Sequence, residues 1–302
     1  MHLHPGRLFI ERFGRVEGPE SIKKYASFLR EEAGLDPDPP IDLAAIFQKF
    51  GIPTPKRVEL PGQQGLLVNP DLGIIFIEER DRETRQRFSE AHELVELLFA
   101  VLPTQNNAYS RDAGSFKHAP KERLCNEGAA ELLMPMATYL PRINQLGVSF
   151  ETGRALSLEY EVSLSAALVH MAKVGPGRHA VVLWAMKNKP TEIRNRVSDK
   201  QMALFDIPVE RIASPKLRVE WSLAKSGMPF IPENKSIPED SSIYQAWFDR
   251  CFSSGVDQLD LGSINGTFYC ENMPFEVDGE WCVLSLLHFP GDSACNWGRS
   301  DR

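Results

Sequence analysis

The sequence predicts an α+β protein, with a small sheet and helices in its N-terminal half, a helical extension, and a separate C-terminal α+β domain. Three observations predict it. Segments of helical period flank two short β-rich runs ahead of residue 135. Gly175-Pro176-Gly177 punctuates the chain. Beyond that point apolar runs of strand length replace the helical pattern. The 302 residues leave room for two or three domains. The expected division is 1–148, 149–175 and 176–302.

Pro19 to Gly34 reads as an amphipathic helix, with Ile22, Tyr25, Phe28 and Leu29 on one face and Gly34 at its C-terminal end. The segment DPDPP breaks the chain. Asp42 then caps a short helix, IDLAAIFQKF, that stops at Gly51. GLLVN and GIIFIEE, separated by Pro70-Asp71, form an expected hairpin. Helical period returns from Asp81 to Val101, and after a polar loop a second helix runs from Pro120 to Met134-Pro135. Two shorter helices, Thr152–Tyr160 and Leu164–Val174, follow. In the last domain AVVLWAMK, LRVEWSL, GTFYC and WCVLSLLHF read as strands, SSIYQAWFDRCF as a helix and CNWGRSDR as a frayed tail.

A net charge of −7 argues against a nonspecific nucleic-acid binder, because neutralising phosphates takes clustered Lys and Arg. No apolar run reaches membrane-spanning length and the start lacks a signal peptide's apolar stretch, so a cytoplasmic protein without membrane contact is expected. The five cysteines, odd in number and without a CxxC spacing, read as reduced thiols. Cys270 and Cys282 would approach each other if their strands paired in the right register.

The chemistry concentrates in RFSEAHELVELLFA, residues 87–100. Residues four apart share a helix face, so His92 and Glu96 can aim an imidazole nitrogen and a carboxylate oxygen at one point. Glu93 is turned about 100° from His92, beside that point, where a general base belongs. The pattern is HExxE, in place of the zinc-protease HExxH. Alone it is weak, because Glu-rich helices produce it by chance. The second helix adds Glu122 as another carboxylate, Asn126 as a neighbouring polar group, and an apolar stripe ended by Pro135.

RFSEAHELVELLF followed by ExxCNxxAAELLMP resembles the ImmA/IrrE family of metallo-endopeptidases, and the likeness extends over residues 18–174. The resemblance implies a zincin-like metallopeptidase domain in which His92, Glu96 and Glu122 fall on the metal-ligand positions and Glu93 on the general base. The chain departs from the family pattern at Glu96 (usually His), Val95 (usually Gly), Cys125 (usually Ala) and Gly128 (usually Phe). Two carboxylates and one imidazole around Zn²⁺ give a neutral site and a weaker Lewis acid, and they shift preference toward Mn²⁺. Three outcomes therefore stay open: a site that binds Zn²⁺ or Mn²⁺ and works slowly, one that recruits another histidine, and an empty site kept for its fold.

His118, just ahead of the second helix, could serve as a recruited ligand, and Tyr109 could stabilise an oxyanion. The plainer reading of both, as surface loop residues, is the favoured one. The resemblance implies that the partner is a helix-turn-helix repressor, encoded nearby, of a stress response, mobile element or phage-related operon. The pair LSLEYEV–SLSAALVHMAKVG has the outline of a helix-turn-helix, but its second helix is mostly apolar, so direct DNA binding is not expected. The C-terminal domain is expected to act as a sensor-like module, GAF-type in some members of the family. Its Trp184, Trp221, Trp247, Phe268, Tyr269 and Trp281 are read as core residues or as the lining of a ligand pocket.

Overall fold

The computed structural model describes residues 3–16, 18–102, 120–192, 214–225, 227–262, 264–277 and 279–290. The chain divides into two compact units: residues 1–146 with 154–167, and residues 147–153 with 168–302. Among the described residues no helix is long and apolar enough to cross a membrane.

The first unit opens with a helix that sequence patterning missed, α1 (Pro5–Phe13). His4 is buried and caps α1, its Nδ1 accepting from Arg7 N at 3.4 Å. Next comes α2 (Gly18–Glu32), which buries Ile22, Tyr25, Phe28 and Leu29 as their spacing requires. Asp42 caps α3 (Leu43–Phe50) by accepting from Ala44 N and Ala45 N, and Gly51 ends it in the left-handed region (φ 66°), which costs glycine little.

A three-stranded sheet follows, made of β1 (Lys56–Val58), β2 (Gly65–Asn69) and β3 (Ile74–Glu78) in the order β1-β3-β2. β2 and β3 form the expected antiparallel hairpin. β1 is a strand the sequence reading left out. It pairs in parallel with β3, where three residues are too few for alternation to register. Among the described residues β1 and β2 are therefore the two edges of this sheet.

Helices α4 (Glu83–Ala100) and α5 (Pro120–Leu133) pack together and on α2. Two departures from the family pattern prove to be one packing exchange. A Cβ on Gly128 would stand 2.7 Å from both Ile22 Cγ2 and Val95 Cγ1, so Val95 occupies the room that a side chain at 128 would need. Next in the chain, α6 (Met136–Leu146) carries Pro141 within it. The sequence reading stopped at Pro135, because two prolines six residues apart look like breakers. Helices α7 (Phe150–Glu159) and α8 (Leu164–Val174) stand where expected, and Ser163 caps α8 by accepting from Ala166 N at 3.2 Å.

The second unit is built on an antiparallel sheet of β4 (His179–Lys187), β5 (Lys216–Ala224), β6 (Ser253–Asp260), β7 (Asn265–Val277) and β8 (Glu280–His288), in the order β5-β4-β8-β7-β6. Helix α9 (Ser242–Asp249) packs against β6, β7 and β8. Trp184, Phe268, Cys270, Val283 and Leu287 belong to the core, and Trp247 packs on its margin. Trp247 and Trp281 each lie 4.6 Å from the Arg250 guanidinium, a pair of cation–π contacts.

The core also holds a polar chain: Trp184 Nε1 donates to Ser285 Oγ (2.9 Å), Ser285 to Asn272 Oδ1 (2.6 Å), and Asn272 Nδ2 to Ser242 Oγ (2.9 Å). Register opposes Phe275 to Cys282 and Leu287 to Cys270, so the two thiols do not meet although their strands pair. Register also brings His179 opposite His288, with ring centroids 4.8 Å apart, and His288 Nε2 lies 2.8 Å from Glu271 Oε1. Separate strands bring these histidines together, which sequence spacing does not show.

Candidate metal centre

Two helices bring the site together. His92 and Glu96 come from successive turns of α4, and Glu122, Cys125 and Asn126 from the first turns of α5. His92 Nε2 lies 3.4 Å from Glu122 Oε2 and 4.0 Å from Glu96 Oε2, so one imidazole nitrogen faces a carboxylate from each helix. On the other side of the ring, His92 Nδ1 is 3.1 Å from Asn126 Oδ1, which can only accept. That contact places the proton on Nδ1 and leaves Nε2 free as a ligand, as outer partners of metal-bound histidines do. His118 and Tyr109 lie outside the described residues.

Sequence reasoning missed three participants. Cys125 is buried, and its thiol, a carboxylate oxygen of Glu96 and a ring nitrogen of His92 all lie within 4.8 Å of one another. Burial raises the Cys125 thiol well above its ordinary value, so it enters the site protonated. Lys121 forms a close ion pair with Glu96 Oε1. Helical spacing could have revealed both, because Lys121 and Cys125 are four apart, like Glu122 and Asn126 beside them.

The third is Gly65, at the start of the edge strand β2. A Cβ there would stand 2.6 Å from Glu93 Oε1 and 3.3 Å from its Cγ and Cδ. Only a strand without a side chain lets the backbone run this close to the Glu93 carboxylate. Gly65→Ala is expected to push that carboxylate aside, lowering cleavage about tenfold, a loss of the size that roughly 1.4 kcal/mol of mispositioning causes. Metal content and Tm should stay near wild type. Unchanged cleavage would show that the close approach has no bearing on Glu93.

Charge follows from burial. Glu93 is 5% exposed, and burial pushes its carboxyl up to about 7, with repulsion from Glu96 and Glu122 adding to the rise and His92 opposing it. Burial also works against a charged His92. The hydrogen bond to Glu122 and the charges of Glu93 and Glu122 outweigh it, and the imidazole is held above its ordinary value. His92 in turn holds Glu122 below the usual carboxylate range. With Nδ1–H directed at Asn126, the carboxylates of Glu96 and Glu122 face Nε2, an arrangement that favours a proton or a metal ion there, although the Lys121 ammonium already offsets part of the negative charge.

The donor set fits a divalent ion. Tetrahedral ligation with bonds near 2.0–2.1 Å puts donor atoms about 3.3 Å apart. Glu122 stands at that spacing from His92 (3.4 Å) and Glu96 lies 4.0 Å from the same nitrogen, while the three donors that all lie within 4.8 Å of one another are those of His92, Glu96 and Cys125. Glu93 stands outside the cluster, buried beside it.

Residues 48–171 match the family model of the IrrE N-terminal-like domain. This stretch is an IrrE N-terminal-like domain. This chain is 29% identical over 168 residues to the radiation response metalloprotease IrrE of Deinococcus radiodurans, covering 53% of this chain and 49% of that protein. With the protein of the same name from Deinococcus deserti it shares 33% identity over 116 residues, covering 37% of this chain and 40% of the relative. The matched part thus spans half or less of each IrrE relative. Among solved structures, a Mycobacterium tuberculosis transcriptional regulator shares the fold, with a TM-score of 0.57 at 13% identity, over 94% of this chain and 92% of that one.

Proposed function

We propose that this chain is a metal-dependent endopeptidase that cuts a helix-turn-helix repressor encoded nearby, in stress-response, mobile-element or phage-related regulation. The observation that carries the reading is His92 Nε2 facing a carboxylate from each of two helices, with Glu93 buried at its side. His92, Glu96 and Glu122 would hold the ion, Zn²⁺ or Mn²⁺, and Cys125 is a further donor within reach. A bound divalent ion supplies Lewis acidity, polarising the scissile carbonyl and making water more acidic.

The chain's own residues do the rest. Asn126 fixes the His92 tautomer. Gly65 leaves room for the Glu93 carboxylate, which accepts the proton of the attacking water and passes it to the departing amine. A carboxyl poised near 7 can both take and give a proton at neutral pH. The IrrE relatives are named metalloproteases, which supports the same chemistry here. The C-terminal unit fits the role of signal-reading module, and a cytoplasmic location agrees with a repressor as substrate.

One feature favours a second reading. Glu96 replaces the expected histidine and is engaged by Lys121, so the domain could instead bind its repressor without cutting it. Metal analysis of chelator-free preparations, together with incubation of the purified repressor, separates the two. Stoichiometric metal and a cut repressor support the peptidase. Metal-free protein that forms a stable complex with intact repressor supports the binding module.

A further inference from the structure

We propose that Lys121 is a tethered cation that competes with the divalent metal for Glu96 and so sets the metal concentration at which the site fills. This rests on the metal site proposed above. Lys121 stands one residue before Glu122 and four before Cys125, so the helix that supplies the second carboxylate also delivers an ammonium to the cluster. The ammonium closes on Glu96 Oε1, while Glu96 Oε2 remains directed toward His92 Nε2. The Lys121 and Glu96 side chains are 31% and 24% exposed, so water screens the pair only in part.

Charge explains the arrangement. The usual set of two histidines and one carboxylate carries a single negative charge before metal enters. Exchanging histidine for Glu96 adds a second, and the Lys121 ammonium cancels it. The cluster therefore reaches the ordinary charge with a resident cation already in place. An incoming divalent ion meets that ammonium's repulsion and must also share or displace its hold on Glu96. Without the ammonium, two carboxylates and an imidazole would face the ion unopposed. The extra carboxylate and the lysine form one device, in which Glu96 strengthens attraction for the metal and Lys121 moderates it.

The test measures metal affinity of the full-length chain, stripped with chelator and dialysed to equilibrium against Zn²⁺ and, separately, Mn²⁺. Lys121→Met is expected to lower Kd at least tenfold, while Lys121→Arg, which keeps the charge, stays within about threefold of wild type. In a Glu96→Gln background the gain from Lys121→Met should shrink, because the pair it relieves is gone. Lys121→Gln, polar and of similar length, replaces Lys121→Met should the latter misfold. Wild type that binds metal with a Kd equal to or below that of Lys121→Met would overturn the inference and leave the metal site standing. Absence of binding by both proteins would overturn the inference and the metal site together.

Discussion

Glu93→Gln is expected to lower the proposed proteolysis by about 10²- to 10⁴-fold, the range for loss of a positioned general base, while metal content and folding are retained. Glutamine keeps the length and shape of the side chain, so the close approach of Gly65 and the packing of α4 survive. What disappears is the carboxylate that receives the proton. Stability should hold or rise, because Glu93 is almost fully buried and burial already disfavours its charged form. The variant is therefore a clean probe, unlike His92→Ala, which removes the ligand and the chemistry together. Cleavage within a few-fold of wild type, with metal bound, would remove Glu93 from the mechanism.

Arg30→Met is expected to destabilise the first unit by about 3–5 kcal/mol, the usual cost of stranding one partner of a buried ion pair. Arg30 is 5% exposed. Its Nη1 donates to the carbonyl oxygens of Glu131 (2.6 Å) and Leu132 (3.3 Å), two of the orphan acceptors at the end of α5. Its Nη2 reaches Ser27 Oγ at 3.1 Å and lies 3.6 Å from Glu131 Oε1. Burial pushes the Glu131 carboxyl up even with Arg30 beside it, so removing the guanidinium leaves a costly charge and two unpaired carbonyls.

Denaturant titration should show a lower midpoint with an unchanged slope, and Arg30→Met with Glu131→Gln should recover part of the loss. A loss below about 1 kcal/mol would mean that water replaces the guanidinium. Metal affinity should fall with stability, because Arg30 ties α2 to the helix that carries Glu122 and Asn126.

Much of the site was legible in sequence because helix geometry is local. A four-residue spacing sets His92 and Glu96 on one face whatever surrounds them, and one residue's rotation puts Glu93 to the side. Asp42 and Gly51 likewise act within a single turn, and the structure has them capping where expected. Helix α1, strand β1 and helix α6 escaped because a buried histidine cap, a three-residue strand and two prolines carry little or misleading periodic signal.

The sequence by itself determined the α+β class, the order of the main helices and hairpin, and the helical spacing of the residues on which the proposed chemistry rests. It could do so because caps, turns and amphipathic period act over a few residues. Only the tertiary structure decided that Lys121 seizes Glu96, that Cys125 joins the cluster, that Gly65 makes room for Glu93 and that Val95 fills the space over Gly128. Each of these joins side chains from different elements, and such meetings follow from packing distances and strand register, which no local pattern encodes.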